Sequence, residues 1–76
     1  MEELFMKNKG ILYKNRDGRY AISDDVWVTA GDTVEIYFGG SWLLTRIEHN
    51  GKEYYAVDLQ GISLAGLTAR LPMVHP

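Results

Sequence analysis

Two dipeptides, Gly39-Gly40 and Asn50-Gly51, interrupt an otherwise strand-like run from Thr33 to Asp58 and constrain the fold more than any other feature of the chain. Both suit two-residue hairpin loops of the I′ type, whose central residues need φ > 0 and whose twist matches that of the flanking strands. Register then follows by counting. Across the first turn Phe38 meets Ser41, Tyr37 meets Trp42, Ile36 meets Leu43, Glu35 meets Leu44, Val34 meets Thr45 and Thr33 meets Arg46. Across the second, Glu48 meets Glu53, Ile47 meets Tyr54, Arg46 meets Tyr55, Thr45 meets Ala56 and Leu44 meets Val57.

Directly opposed residues share a face. One face therefore collects Val34, Ile36, Phe38, Leu43, Thr45, Ile47, Tyr54 and Ala56, which is a core. The other collects Glu35, Tyr37, Trp42, Leu44, Arg46, Tyr55 and Val57. That second face is too aromatic for a solvated surface and too charged for an ordinary interior. It must meet the rest of a small barrel, another copy of the chain, or a ligand.

The remaining segments are short. Gly10 to Tyr13 and Arg19 to Ile22 form a hairpin whose loop, Asn15-Arg16-Asp17-Gly18, ends in a glycine suited to the left-handed region. After the polar break Ser23-Asp24-Asp25, Val26 and Val28 point one way and Trp27 the other, which suits Trp27 to plugging a barrel end or, as the alternative, to the surface. Leu59 to Ala65 reads as a packed loop. Gly66 to Leu71 is a closing strand with Leu67, Ala69 and Leu71 on one side and Thr68 and Arg70 on the other, and Pro72 ends the pairing. Short antiparallel strands of this kind must hide their edges, so the expected fold is all-β: a five- or six-stranded antiparallel barrel, SH3-like or OB-like. The expected organisation is a tail over residues 1–9, one barrel domain over 10–71 and a tail over 72–76.

Composition excludes several function classes. A chain of 76 residues buries only about 60% of its unfolded surface, so its stability is modest. It has no cysteine, hence no disulfide framework and no thiolate metal site, and the expected location is cytoplasmic. The N-terminal residues carry no basic, long apolar leader, and no apolar run is long enough to span a membrane. A net charge of -2 argues against sequence-independent nucleic-acid binding, although Lys7, Lys9, Lys14, Arg16 and Arg19 concentrate positive charge near the start. His49 and His75 have no partner at metal-ligand spacing, and no nucleophile is set beside a base. No catalytic residue, metal or cofactor is expected, and the reading is non-enzymatic.

The strings Gly10-Ile11-Leu12-Tyr13, Gly18-Arg19-Tyr20-Ala21-Ile22, Gly31-Asp32-Thr33-Val34-Glu35, Tyr54-Tyr55-Ala56-Val57 and Gly66-Leu67-Thr68-Ala69-Arg70-Leu71 combine with the most specific piece, Gly-x-Trp-x-x-Thr-Arg-Ile-Glu over Gly40 to Glu48. Together they resemble a small Firmicutes family catalogued as domain of unknown function 5348. The resemblance implies a compact all-β protein carried by phages and mobile elements, with no activity or catalytic residue to transfer. The segment from Ile22 to Gly31, with Trp27, departs from the family pattern.

Tyr37, Trp42, Arg46 and Tyr55, joined by Arg70, are the candidate ligand-binding residues, because flat rings stack a base and a planar guanidinium grips phosphate. Leu44, Val57 and Trp27 are the candidate interface residues. The expected role in the phage setting is counter-defence by sequestering a small nucleotide signal. The alternatives are docking onto a host protein through the aromatic face and weak single-stranded nucleic-acid binding. The aromatic face also has the composition of an interface centre, so a homodimer is the expected assembly.

Overall fold

A computed structural model describes residues 8–72. Its strands are β1 (Lys9–Ile11), β2 (Tyr13–Lys14), β3 (Tyr20–Ser23), β4 (Val26–Val28), β5 (Thr33–Phe38), β6 (Ser41–His49), β7 (Tyr54–Ala56) and β8 (Thr68–Arg70). A single 3₁₀ turn, Val57–Leu59, lies between β7 and β8. The architecture is all-β and antiparallel, as expected. The strands do not close into one barrel: a five-stranded sheet, ordered β1-β8-β5-β6-β7, and a three-stranded sheet, β2-β3-β4, pack over a shared core.

The chain changes sheets at Leu12. Its N–H donates to the Leu67 carbonyl (2.8 Å) and its carbonyl accepts from the Gly66 N–H (2.9 Å), while the next residue, Tyr13, already pairs with Ala21 of the smaller sheet. Leu12 is therefore buried at the corner. The crossing is close: a Cβ added at Gly10 would lie 2.6 Å from the Ile22 carbonyl oxygen. Gly10 is thus fixed by backbone approach, whereas Gly18, at φ +82°, closes the first hairpin loop as its sequence implied. On the far side β4 and β7 remain edges. The gap there is bridged by a hydroxyl contact, Thr29 Oγ1 to Tyr54 Oη at 3.3 Å, rather than by a backbone ladder.

Every expected pair of the β5–β6 hairpin is present, from Phe38 opposite Ser41 to Thr33 opposite Arg46. Gly39 and Gly40 both have positive φ, as an I′ loop needs. The β6–β7 register is corrected. Ile47 faces Ala56, Glu48 faces Tyr55 and His49 faces Tyr54, two residues away from the counted pairing. Asn50 does not adopt φ > 0; its side-chain oxygen instead accepts from the Lys52 and Glu53 N–H groups (2.8 and 3.0 Å). Gly51, at φ +94°, becomes the first central residue of the loop, the glycine position of a II′ turn. The displacement by an even number of residues leaves each side chain on its assigned face.

The core joins Val34, Ile36, Ile47, Ala56 and Ala69 of the larger sheet to Leu12, Tyr20, Ile22 and Val28, with Leu59 and Leu64 of the packed loop sealing it. Leu43 is half-buried against this cluster. Phe38, expected inside, is 40% exposed because it sits at the tip of its hairpin, beyond the reach of the smaller sheet. Buried Thr45 turns its hydroxyl to accept from the Asp58 N–H at 3.2 Å. Lys9, assigned to a tail, is in β1 opposite Arg70. The rest of the expected tails, and His75, lie almost wholly outside the described residues.

Candidate functional site

The side of the five-stranded sheet that turns away from the core carries the candidate residues. Pairing across four strands puts Ile11, Thr68, Tyr37 and Trp42 in one row and Lys9, Arg70, Glu35 and Leu44 in the next. Alternation along each strand sends these side chains outward, because Gly10, Ala69, Ile36 and Leu43 between them turn inward. Ile11 is 62%, Leu44 58% and Tyr37 47% exposed; Tyr37 and Leu44 flank Trp42 on β5 and β6, while Ile11 is on the edge strand, separated from Tyr37 by Thr68. Tyr37 is therefore a surface residue and Trp42 a half-buried one, and neither lines a barrel interior.

The two rings meet edge to face, with centroids 5.3 Å apart and planes at 66°. The Arg70 guanidinium lies over the Trp42 ring at 3.9 Å from its centroid, and the Lys9 ammonium approaches the same ring at 5.7 Å. Arg70 Nε also donates to Glu35 Oε1 at 2.7 Å, so the guanidinium is held between a π face and a carboxylate. This locks the Trp42 indole in place.

Arg46 and Tyr55 do not join that group. Arg46 Nε pairs with Glu48 Oε2 at 2.7 Å, and Tyr55 stands opposite Glu48, not Arg46. The expected like-charged pair of Glu48 and Glu53 is accordingly absent. The candidate residues thus form two clusters: Tyr37, Trp42 and Arg70 with Glu35 and Lys9, and Arg46 with Glu48 beside Tyr55. Lys9 and Ile11 were missed as site residues. Nothing local could have flagged them, since they reach the face only because β8 inserts between β1 and β5.

Of the interface candidates, Leu44 is on this face, between the clusters. Val57 is not opposite Leu44; it begins the 3₁₀ turn and leaves the ladder. Trp27 does not plug an open end, because no barrel end exists to fill; it is 53% exposed on the outer side of the three-stranded sheet.

His49 serves its turn, with Nδ1 accepting from the Gly51 N–H at 3.0 Å and its ring edge-to-face with Tyr54 at 4.6 Å. Among the described residues no three His, Asp or Glu side chains gather as metal ligands, and no helix is long and apolar enough to cross a membrane.

Comparison with known proteins adds a family. A sequence model of the family described as "Domain of unknown function (DUF5348)" matches residues 9–71, from the first residue of β1 to the residue after β8. No curated protein and no solved structure matches the chain.

Proposed function

The chain belongs to the DUF5348 family, whose description assigns no activity, and on the geometry of its outer face we propose that it is a non-enzymatic binding domain that docks onto a protein partner. One observation carries this reading. Half-buried Trp42 has exposed Tyr37 across the ladder and exposed Leu44 two residues along its own strand, with Lys9, Glu35 and Arg70 in the next row and Arg46 and Glu48 farther along β6. An apolar, aromatic centre with a charged rim is the anatomy of a protein interface. Trp42 is its anchor, already oriented by Arg70 before any partner arrives, which reduces the entropy lost on binding.

A small nucleotide held by the same strip is the competing reading. Both arginines there are already paired through Nε with a carboxylate, which lowers the local positive charge a phosphate needs, so the geometry favours a protein partner. The setting we propose is that of the phages and mobile elements to which the sequence resemblance points, with a host defence protein as the partner.

The test is comparative pull-down from host cells with the parent protein and its Trp42→Ala and Arg70→Ala variants, followed by binding of the purified partner. Loss of one partner in both variants, with unchanged melting temperature, supports the reading. Equal recovery by parent and variants overturns it. Sedimentation of the parent alone identifies the remaining occupant: a dimer abolished by Trp42→Ala assigns the face to a second copy instead.

A further inference from the structure

The longest strand, β6, is paired from Ser41 to Arg46 with β5 on one side, but on its other side β7 pairs only with Ile47, Glu48 and His49. Ile47 shows which backbone groups point where: its N–H donates to the Asp32 carbonyl and its carbonyl accepts from the Gly31 N–H, both at 2.8 Å and both on the β5 side. Backbone groups alternate sides along an antiparallel strand, so Ser41, Leu43 and Thr45 also bond towards β5, and Trp42 and Leu44 point the other way. After Ala56 the chain leaves the ladder for the 3₁₀ turn, and the Asp58 N–H goes to the Thr45 hydroxyl at 3.2 Å instead of to a β6 carbonyl. Among the described residues, the N–H and C=O groups of Trp42 and Leu44 are thus left without a backbone partner.

Nothing guards this edge. From Ser41 to Thr45 the strand has no proline, no charge and no bulge, the devices that ordinarily keep an edge from pairing. The open stretch begins at the Gly39-Gly40 turn and ends where Asp58 arrives at Thr45, so Leu43 is its midpoint. Such an edge is complementary to itself. A second copy placed antiparallel about a two-fold axis at Leu43 sets Trp42 of each copy opposite Leu44 of the other, and each of these two pairs exchanges both of its hydrogen bonds. Apolar side chains then face each other on the outer side, and Ser41 faces Thr45 on the inner one. No like charges are opposed, because the nearest cation, Arg46, falls opposite Gly40 and stays with Glu48.

We propose that two copies of the chain join through the outer edges of β6, in antiparallel register about Leu43, so that their five-stranded sheets become one continuous sheet. The two-fold arrangement closes, since pairing occupies this edge in both copies and leaves none of it for a third. The inference does not rest on the docking face. Backbone groups make the contact, and the outer face of the joined sheet stays available to a protein partner.

The experiment is sedimentation over a concentration series of the parent and its Leu44→Pro, Leu44→Ala and Trp42→Ala variants, with amide hydrogen exchange followed by nuclear magnetic resonance over the same series. Proline at position 44 removes an N–H that β5 does not use, whereas alanine at 42 or 44 keeps every backbone donor. The parent is expected to dimerise, with the Trp42 and Leu44 amides exchanging more slowly as the dimer forms. Either alanine variant should still dimerise, about tenfold more weakly, and Leu44→Pro should lose at least about a further tenfold. Slow exchange at Leu43 and Thr45, which bond to β5, shows that the proline variant is folded; if it is not, the parent's exchange decides alone. A parent that stays monomeric overturns the proposal, as does a dimer in which the Trp42 and Leu44 amides remain fast. A dimer abolished by Trp42→Ala with those amides still fast belongs to the docking face and also overturns it. Protection that appears only when a protein partner is added gives the edge to a strand of that partner and overturns it likewise.

Discussion

The two sheets use the same residue types to opposite ends. On the five-stranded sheet each arginine is held by an acid, Arg70 by Glu35 and Arg46 by Glu48, and the aromatic surface between them is open. On the three-stranded sheet Lys14 and Arg16 form no ion pair among the described residues, Asp24 accepts from the Tyr13 hydroxyl at 3.1 Å, and the surface beside Trp27 is grooved. The contrast lies in which residues face each cation. Arg70 finds Glu35 directly across the β8–β5 ladder, and Arg46 finds Glu48 two residues along its own strand. On the three-stranded sheet Lys14 faces Tyr20 and Arg16 lies in the hairpin loop, neither of them opposite an acid.

The largest expected effect tests whether the faces share one support. Ile36, fully buried where the sheets meet, becomes Ala at a cost of about 2–5 kcal/mol, a large part of the stability of so small a domain. Denaturant unfolding followed separately by Trp42 and Trp27 fluorescence should shift by the same amount; non-coincident transitions would show two independently stable sheets. Next in size, Gly10→Ala forces a methyl against the Ile22 carbonyl where the sheets cross and should cost about 1–3 kcal/mol by the same measurement.

Function should then divide between the faces. Trp42→Ala is expected to weaken partner binding by about 2 kcal/mol or more, roughly 30-fold, without altering the groove, whereas Trp27→Ala should leave the partner bound. Calorimetry with the purified partner decides, and comparable losses in both variants would merge the two surfaces into one. Within the five-stranded face, Arg70→Ala should cost more binding than Arg46→Ala, by about 1 kcal/mol, because of the two arginines it is Arg70 that lies on the indole. Equal effects would mean that charge, not the stacked ring, matters.

The smallest effect is spectroscopic. Desolvation, the Asp24 hydrogen bond and the charges of Asp24 and Asp25 raise the Tyr13 pKa in the fold, so the stability it contributes is fully present below the ordinary tyrosine pKa and is lost as pH rises through the higher value. Ultraviolet titration should show a late-ionising tyrosine that moves earlier in Asp24→Asn. No movement would place the cause outside the Asp24 contact.

What local residue chemistry determines is visible in β5 and β6: two glycines with positive φ and a strict alternation made every pair and both faces readable in advance. The second turn shows the limit of such counting. Asn50 had two ways to satisfy its neighbours, a left-handed backbone or a side-chain acceptor, and took the second; the pairing moved while the faces did not. The site was readable to the same depth. Tyr37, Trp42 and Leu44 were placed on one outer face by alternation, but the cation on Trp42 was not, since Arg70 arrives on a strand far along the chain. Its placement, with that of Lys9 and Ile11, depends on β8 entering between β1 and β5 and on Gly10 letting the sheets cross. Alternation and turn chemistry act over a few residues and so are written into the sequence at short range. Strand order and the division into two sheets are set by which long-range pairings bury the most apolar surface around Ile36, Ile47 and Leu12, a quantity that belongs to the assembled chain and to no segment of it.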